Sequence, residues 1–458
     1  MYLKRTKFLI VGMYKSGASA CELLLSFGAE CWVYDKNLDE RTLNFIQKAC
    51  EKGARQVNRE NIEDVIALVD VVVLSPGVPI DDEVPIIARK LRKNIIGELE
   101  LGSYFNRSPI VAVTGTNGKT TTCSMIDYVL KNANYNSFLA GNIGIPLTKV
   151  CNEHSKDDIA VVEVSSFQLE TVAHFTPHIA CVLNLSPDHL SRHYNMDNYV
   201  YLKSRILKNL RESEFAVFNM DDPTVAEFAS NTRAKPVYFS MAKEVDGAYL
   251  VEGKIYWKKE FLCNCEELAL KQGHNIQNAL ACVCVCKLLG VEKEKIVEGL
   301  KNFKGVKHRL QEVAVHNGVK YINDSKATNP ASTLSAVKEI ENSFTLLIGG
   351  REKRGGYEEL FNYLKDKSNL KEIIFYGEGA KNLYSLAIDC GIKRVNIARN
   401  FSNAVKFSFI VSNSDLVLLS PACSSYDEFF SFEERGEKFI ELVDEFIGRK
   451  SENIQQKA

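Results

Sequence analysis

Apolar runs, glycine-containing turns and helical periodicity follow one another near the start of the chain. The run KFLIVG (Lys7–Gly12) precedes a helical pattern at Ala18–Phe27. Two more apolar runs follow, CWVYD (Cys31–Asp35) and DVVVLSPG (Asp70–Gly77). Runs that are apolar throughout are typical of strands buried on both faces, and their alternation with helices predicts a parallel sheet. The pattern therefore predicts an α/β fold.

The same alternation recurs twice further along the chain. The apolar runs of the second block lie at 109–114, 159–166 and 179–186, and those of the third at 320–326, 344–350, 372–377 and 416–422. A chain of 458 residues is also too long for one ordinary core, since domains commonly span about 100–200 residues.

We therefore predict three α/β domains. An N-terminal Rossmann-like domain would span residues 1–104, and a central mononucleotide-binding domain with a phosphate loop would span 105–306. A C-terminal Rossmann-like α/β domain would occupy residues 307–458. Helices are expected around Asn278 and at Lys293–Lys301, near the end of the central domain.

Composition narrows the classes of protein that need considering. Apolar residues make up 45% of the chain and charged residues 25%, as in globular proteins. The 57 Lys and Arg nearly cancel the 58 Asp and Glu, so we expect neither a nucleic-acid nor a membrane partner. The chain opens directly into a strand, which favours a cytoplasmic protein, and a monomer is expected. Thirteen cysteines without a CxxC pair predict reduced, buried thiols.

The strongest chemical signal is the stretch TGTNGKTT (Thr114–Thr121), between a predicted strand and a predicted helix. Its glycines allow the backbone to wrap a phosphate, and the helix N-terminus supplies N–H donors. Lys119 would balance phosphate charge, and the Thr120 hydroxyl would bind Mg²⁺. Val113 stands at the first glycine position of the common pattern, so a purely structural turn is the alternative.

Two further side chains follow apolar strands and are expected at the same edge of the central sheet. Glu163, in the stretch VVEVSSFQLE, lies at the carboxyl end of an apolar strand and could hold a metal, while His189 lies in LNLSPDHLSRH. Ligands of open α/β sheets gather at the carboxyl ends of strands. Taken alone, a histidine of this kind is more often a surface residue or one with satisfied hydrogen bonds, but the position of His189 just past a strand end beside a nucleotide site favours a functional role.

The first domain departs from the dinucleotide-binding fingerprint. In GMYKSG (Gly12–Gly17), Tyr14 stands where a second glycine would let a pyrophosphate approach the backbone. Asp35 still ends the second strand, the usual place for an acid that hydrogen-bonds a sugar or base. We expect a nucleotide bound in an altered pose rather than NAD, with a merely structural turn as the alternative.

Together these motifs resemble the Mur ligases of bacterial cell-wall synthesis over essentially the whole chain. Besides TGTNGKTT, the matching stretches are GNIG, EVSSFQLE, NLSPDHLSRH, GHNIQNAL, HR at 308–309, NDSKATNP, IGGREK and LLSPACSSYDEFFSFEERG. The SSFQLE form and the last stretch are similar to the D-glutamate-adding branch of the family.

The resemblance implies which residues would handle ATP, metal and catalysis. Two Mg²⁺ ions would be held by Thr120, Glu163, His189 and a CO₂-derived carbamate on Lys203, and the catalytic residues would be Lys119, His189 and Lys203. From the residues alone, Lys203 is typical of an exposed helix lysine. The residues implied to bind ATP are Gly115, Thr116, Asn117, Gly118, Lys119, Thr120, Thr121, Asn278, Arg309, Asp324 and Lys326.

The resemblance also implies two substrate sites. The UDP group would contact Lys15, Ser16, Asp35, Gly77 and Asn142. D-Glutamate would be held by Thr328, Lys353, Ser425 and Phe432. Arg351 or Arg354 could replace Lys353 in the charged stretch GGREKRGG, and Phe432 could instead be a core residue.

The activity that the resemblance implies is an ATP-dependent ligation in peptidoglycan precursor synthesis. D-Glutamate would be joined to UDP-N-acetylmuramoyl-L-alanine through an acyl-phosphate and a tetrahedral intermediate, with ADP and phosphate released. Alternatives are a related ligase acting on folate or another amino acid, and a nucleotide-binding regulator without ligase activity. A dehydrogenase is disfavoured by Tyr14 and by a phosphate loop in mid-chain.

Overall fold

The computed structural model describes residues 3–142, 144–271, 273–338, 340–352, 355–411 and 413–448. The chain forms two compact units, Met1–Lys304 and Gly305–Ala458. Among the described residues, no helix combines the length and the apolar character needed to cross a bilayer.

The first unit begins with a parallel sheet whose strands run in the order β3-β2-β1-β4-β5. Its strands are β1 (Lys7–Val11), β2 (Glu30–Tyr34), β3 (Arg55–Gln56), β4 (Val71–Leu74) and β5 (Asn94–Gly97). Its helices are α1 (Lys15–Ser26), α2 (Glu40–Glu51), α3 (Ile62–Leu68), α4 (Glu83–Lys90) and α5 (Glu98–Phe105). Because apolar cores lie on both faces of β1, it is buried almost throughout.

A second sheet of the same unit runs in the order β14-β13-β12-β11-β10-β9-β6-β8-β7. Its strands are β6 (Ile110–Thr114), β7 (Ser137–Gly141), β8 (Ile159–Glu163), β9 (Ile179–Val182), β10 (Phe215–Asn219), β11 (Lys235–Ser240), β12 (Gly247–Val251), β13 (Lys254–Trp257) and β14 (Glu260–Asn264). Pairing is parallel from β7 to β12 and antiparallel at β13 and β14.

The helices of this central region cover the sheet and carry most of the candidate chemistry. They are α6 (Lys119–Asn132), α7 (Leu147–Val150), α8 (Ser166–Leu169), α9 (Leu190–His193), α10 (Met196–Ser204), α11 (Pro223–Phe228), α12 (Gly273–Leu288) and α13 (Lys293–Asn302). Residues on all sides of α12 are buried, which accounts for its nearly continuous apolar sequence.

The second unit contains a sheet in the order β15-β16-β20-β17-β18-β19, parallel except for β15 against β16. Its strands are β15 (Gln311–His316), β16 (Val319–Asn323), β17 (Phe344–Gly349), β18 (Leu370–Tyr376), β19 (Val395–Ile397) and β20 (Leu416–Leu419). Its helices are α14 (Pro330–Lys338), α15 (Tyr357–Lys365), α16 (Ala380–Asp389), α17 (Phe401–Val411) and α18 (Phe432–Phe446).

The predicted α/β class with parallel sheets is confirmed, with differences at the ends and edges of elements. Helix α1 begins at Lys15 rather than Ala18, and β16 ends at Asn323, before the predicted Lys326. The thirteen cysteines are free thiols, ten of them buried and three partly exposed. The division into domains at residues 104 and 306 stays a prediction.

Candidate nucleotide and substrate sites

The stretch between β6 and α6 has the geometry of a phosphate loop. Gly115 (φ 151°) and Gly118 (φ 83°) adopt conformations that side chains with a Cβ rarely take. A Cβ at Gly118 would also lie 2.4 Å from Asn278 Oδ1. Glycine is therefore required at Gly118 both by its backbone conformation and by the close approach of α12.

Lys119 extends back over this loop from the first turn of α6. Its Nζ donates to the carbonyl oxygens of Gly115 and Thr116, each at 2.7 Å. The Asn117 N–H donates to Asn184 Oδ1 at 2.8 Å, and this bond joins the loop to the segment after β9. An ammonium group is thus held directly at the rim of a glycine-rich turn, as a phosphate site requires.

Thr120 and Glu163 meet because β6 and β8 are adjacent parallel strands, with Val113 opposite Glu163. The Thr120 hydroxyl donates to Glu163 Oε2 at 2.7 Å, and the carboxylate is 3% exposed. Asn142 Nδ2 donates to Glu163 Oε1 at 2.6 Å. Hydroxyl and carboxylate oxygens are the ligands that Mg²⁺ prefers. This pair therefore fits the predicted metal.

The four predicted metal ligands do not form a cluster of acidic and histidine side chains. Within the described part of the chain, no group of three or more His, Cys, Asp or Glu side chains could hold a metal ion. Of the predicted ligands, Thr120 and Glu163 are in direct contact.

Lys203 differs from the exposed helix lysine that its local sequence suggests. It is 1% exposed, and its Nζ donates to Thr114 Oγ1 at 3.0 Å and to the Gly115 carbonyl at 2.9 Å. Tyr199 and Lys203 share the buried side of α10, as residues four apart do on a helix. The sequence pattern was misleading because α10 packs against the end of β6.

The environment of Lys203 disfavours its charged form. Burial, followed by the positive charge of Lys119, lowers the pKa of Lys203 well below its ordinary value, while Asp188 and Glu163 act in the opposite direction. Lys203 and Lys119 also share the Gly115 carbonyl as a hydrogen-bond acceptor. The structure therefore brings Lys119, Glu163 and Lys203 to the phosphate loop.

His189 lies on the loop that follows β9, the strand next to β6. Its side chain is 52% exposed, with Nε2 3.5 Å from Asp188 Oδ2. Its ring centroid lies 4.9 Å from that of Phe167. The same loop contacts the phosphate loop, because the Ser186 N–H donates to Thr116 Oγ1 at 3.0 Å. His189 therefore lies at the same edge of the sheet as the phosphate loop, as predicted.

Tyr199 and His193 also belong to this site but were not predicted from the sequence. The Tyr199 hydroxyl lies 2.9 Å from Thr116 Oγ1, and burial raises the pKa of Tyr199 to about 12. His193 is 2% exposed, with Nε2 2.9 Å from Ser166 Oγ. The sequence did offer one indication for Tyr199. It stands four residues before Lys203, so the two share one face of a helix.

A separate cavity of about 600 Å³ lies at the carboxyl edge of the first sheet. Asp35 accepts hydrogen bonds there from the Met13 N–H at 2.5 Å and the Asn37 N–H at 2.9 Å. Tyr14 packs edge-on against Phe45, with ring centroids 5.4 Å apart. All five residues predicted to contact a UDP group line this cavity: Lys15, Ser16, Asp35, Gly77 and Asn142.

A larger groove of about 1190 Å³ contains none of the predicted site residues. Arg205, Arg211 and Arg233 are among the residues that line it. Arg211 and Arg233 lie shortly before the starts of β10 and β11, at the edge opposite the phosphate loop.

In the second unit, most of the predicted residues lie on loops next to strands, and Phe432 begins α18. Asp324 is 5% exposed and accepts from the Leu310 N–H at 3.3 Å and from Ser420 Oγ at 2.7 Å. Lys326 Nζ lies 5.9 Å from the centroid of the Phe432 ring. Arg309 and Thr328 are half-buried, and so is Phe432, while Ser425 is 2% exposed.

The charged stretch predicted to hold D-glutamate is only partly described. Lys353 and Arg354 lie outside the described residues. Arg351 is exposed and donates from Nε to Glu378 Oε2 at 3.0 Å. Of the three candidate basic residues, Arg351 is the one that the structure describes, and it is paired with Glu378.

Arg435 is an organising residue of the second unit that sequence reasoning missed. It is fully buried and donates from Nε to Ser325 Oγ at 3.0 Å and from Nη2 to the Ser325 carbonyl at 2.9 Å. It also donates to the carbonyls of Gly349 and Cys423. Its place in the stretch LLSPACSSYDEFFSFEERG, which carries the family resemblance, was a signal that the sequence offered.

Two known protein families match parts of this chain, and known relatives match nearly its whole length. The Mur ligase middle domain matches residues 113–286, and the family described as Mur ligase, glutamate ligase domain, matches residues 308–423. The chain is 39% identical to UDP-N-acetylmuramoylalanine–D-glutamate ligase of Pelotomaculum thermopropionicum, over 96% of this chain and 97% of that protein. The enzyme of the same name from Clostridioides difficile is 36% identical, over 97% of this chain and 99% of that protein.

Solved structures of low sequence identity share the fold. MurF from Acinetobacter baumannii aligns with a TM-score of 0.62 at 19% identity, covering 94% of this chain and 93% of that chain. UDP-N-acetylmuramate–alanine ligase MurC from Thermotoga maritima aligns with a TM-score of 0.58 at 20% identity, covering 96% and 100%. The phosphate loop, the sheets and the full-length relatives lead to one conclusion: this chain belongs to the Mur ligase family.

Proposed function

We propose that the chain is a cytoplasmic, monomeric ligase that adds D-glutamate to UDP-N-acetylmuramoyl-L-alanine at the expense of ATP. One observation carries the proposal. Asn142 lines the cavity predicted for the UDP group and donates to Glu163, which also accepts the Thr120 hydroxyl beside the phosphate loop. A continuous chain of contacts thus joins the two predicted sites.

The first chemical step requires a substrate carboxylate to attack the γ-phosphorus of ATP. Negative charge accumulates there, and the Lys119 ammonium, already held at the loop, is placed to offset it. Thr120, Glu163, His189 and a carbamate on Lys203 would hold Mg²⁺, which supplies further positive charge at that position. The bond between the γ-phosphorus and the β,γ-bridging oxygen breaks, ADP leaves, and the product is an acyl-phosphate with phosphate as a good leaving group.

The buried position of Lys203 supports a carbamate at this residue. A lowered pKa leaves more of the amine neutral, and only the neutral amine can form a bond to CO₂. The ammonium first loses one proton to give the neutral amine, and the nitrogen loses a second proton to solvent as its bond to CO₂ forms. An anion then stands in place of a cation. That exchange suits a side chain 1% exposed beside the hard oxygen ligands of a metal site.

The second step would use groups of the second unit. The D-glutamate amine attacks the acyl carbonyl, and the tetrahedral intermediate collapses to the amide with loss of phosphate. Thr328, Ser425, Phe432 and Lys353 are proposed to hold the amino acid, and Arg309, Asp324 and Lys326 to contact ATP. Asp324 is fixed by two hydrogen bonds, as a residue that orients a ribose needs to be.

The test is phosphate release measured with UDP-N-acetylmuramoyl-L-alanine, Mg-ATP and a panel of amino acids. We expect release that depends on both D-glutamate and the UDP substrate. Release with a different amino acid, or with a folate as the acid, would indicate a related ligase. ATP that stays intact with every combination would instead indicate a nucleotide-binding regulator.

A further inference from the structure

The turn that carries His189 has an unfavourable backbone conformation that other contacts must stabilise. His189 (φ 53°) and Tyr194 (φ 69°) both lie in the left-handed region, and they flank the single turn of α9. A residue with a Cβ in that region costs on the order of 1 kcal/mol. Two such residues within six positions need compensating interactions, which side chains of the same turn supply.

Arg192 supplies several of these interactions. Its Nε donates to Glu170 Oε1 at 2.9 Å and its Nη2 to Glu170 Oε2 at 2.5 Å, so the two side chains form a two-pronged ion pair. The Arg192 side chain is 15% exposed and that of Glu170 3% exposed. The guanidinium also lies 5.0 Å from the ring centroid of Phe167, which in turn packs against His189.

The same guanidinium reaches the wall of the cavity predicted for the UDP group. Arg192 Nη2 donates to the Val78 carbonyl at 3.0 Å, and Nη1 donates to the Gly77 carbonyl at 3.5 Å. Gly77 and Val78 both line that cavity. A second contact between the same segments is the hydrogen bond from the Tyr194 hydroxyl to the Asp81 carboxylate.

Glu170 links this contact to the metal-binding strand. It directly follows α8, which begins three residues after Glu163 at the end of β8. One arginine therefore touches the loop of the first sheet that walls the cavity, the segment that leads from Glu163, and the turn that presents His189. Because transfer of the γ-phosphoryl group needs the substrate carboxylate close to the γ-phosphorus, a misplacement of 1 Å can cost about 100-fold in rate.

We propose that Arg192 is a positioning residue that sets the spacing between the UDP-substrate cavity and the His189 side of the metal site. This inference rests on the proposed function. The ion pair with Glu170 fixes the guanidinium, and the bonds to Gly77 and Val78 then fix the cavity wall relative to His189.

The experiment uses the full chain and compares Arg192→Ala and Arg192→Lys with the parent protein. Phosphate release gives kcat and the KM for each substrate, and thermal unfolding gives Tm. We expect Arg192→Ala to lower kcat by about 10- to 100-fold and to raise the KM for the UDP substrate. The KM for ATP should stay within about threefold, because Arg192 does not touch the phosphate loop.

Arg192→Lys separates positioning from stability. A lysine keeps a positive charge beside Glu170, so Tm should recover most of its parent value. A single ammonium cannot make the two-pronged contact and reach both carbonyls, so kcat should remain at least about 10-fold low.

Lys149→Ala is the matched control. The Lys149 ion pair with Glu22, at 2.8 Å, also joins the central region to a helix of the first sheet, but touches neither the cavity wall at 77–78 nor the His189 turn. We expect its kcat to stay within about twofold of the parent value, since exposed ion pairs contribute little.

Three results would overturn the inference: a parent-like kcat in Arg192→Ala with only Tm reduced, a parent-like kcat in Arg192→Lys, or an equal loss in Lys149→Ala. Absence of D-glutamate-dependent phosphate release from the parent protein would refute the proposed function instead.

Discussion

At the scale of single residues, Lys203 shows how burial changes the chemistry of a common side chain. A lysine in the sequence NYVYLKSRIL has no local feature that distinguishes it from a solvated one. In the fold it is 1% exposed and hydrogen-bonded at the phosphate loop. Its removal and its chemical replacement can therefore be tested separately.

Lys203→Ala should lower D-glutamate-dependent phosphate release by at least about 100-fold, because the proposed anion at the metal site is lost. Added short carboxylates such as acetate should restore part of the activity. The control is Lys208→Ala, which removes an exposed lysine from the following segment and should leave the rate unchanged. Full activity in Lys203→Ala, or a loss that no carboxylate restores, would exclude the carbamate role.

His193 links the same site to the pH dependence of stability. Burial is the main cause that lowers the pKa of His193 to about 4, helped by His189 and Arg192 in their charged forms and opposed by Asp188. An unfolded histidine takes up its proton near pH 6.5. The unfolded state therefore binds more protons between these values, so stability is lost as the pH falls from about 6.5 towards 4.

His193→Gln should remove this contribution. Between pH 7 and pH 5, the parent protein should lose about 2 kcal/mol more unfolding free energy than the variant. Urea unfolding at a series of pH values measures the difference. Equal slopes for the two proteins would contradict the predicted protonation behaviour.

At the scale of elements, the turn between β1 and α1 needs a glycine at position 17 because the backbone of Gly12 and the side chain of Ser75 approach it closely. A Cβ at Gly17 would lie 2.0 Å from the Gly12 carbonyl oxygen and 2.9 Å from Ser75 Oγ. Ser75 Oγ itself donates to that carbonyl at 2.6 Å. This packing joins α1 to β1 and to the end of β4, at the base of the UDP-substrate cavity.

Gly17→Ala should lower the unfolding free energy by about 1–3 kcal/mol, because the added methyl group forces these elements apart. It should also weaken binding of the UDP substrate. Gly273→Ala is the control, since a Cβ there would have no neighbour within 4 Å, and a change below about 1 kcal/mol is expected. Urea unfolding gives both values, and equal stability of the two variants would contradict the clash.

At the scale of the whole molecule, the residues predicted to bind ATP fall in both compact units. Lys119 and Asn278 belong to Met1–Lys304, while Arg309 and Asp324 belong to Gly305–Ala458. We predict that the chain becomes more compact when ATP binds, because closure around the acyl-phosphate would exclude the water that otherwise hydrolyses it.

Small-angle scattering should therefore show a smaller radius of gyration when Mg²⁺ and a non-hydrolysable ATP analogue are added, by on the order of 1 Å. Lys119→Ala supplies the control, since it removes a phosphate contact and should reduce the change at the same analogue concentration. An unchanged radius in the parent protein at saturating analogue would exclude nucleotide-driven closure.

Sequence by itself determined the local features of this protein. The apolar runs of β1, β6 and β8 and the glycine-lysine turn after β6 depend on near neighbours, through periodicity, backbone freedom and hydrogen bonds within a few residues. Gly77 and Asn142 were predicted to contact the UDP group from resemblance to a family. Both residues line the same cavity, which agrees with that prediction.

Only the tertiary structure decided which distant side chains act together. Three examples are the hydrogen bonds from Lys203 to Gly115, from Asn142 to Glu163 and from Arg192 to Gly77. They join residues 21 to 115 positions apart. Such contacts arise when parallel strands place their ends at one edge and short helices pack over it. No periodicity within a single segment encodes them, because each segment alone leaves these side chains in water.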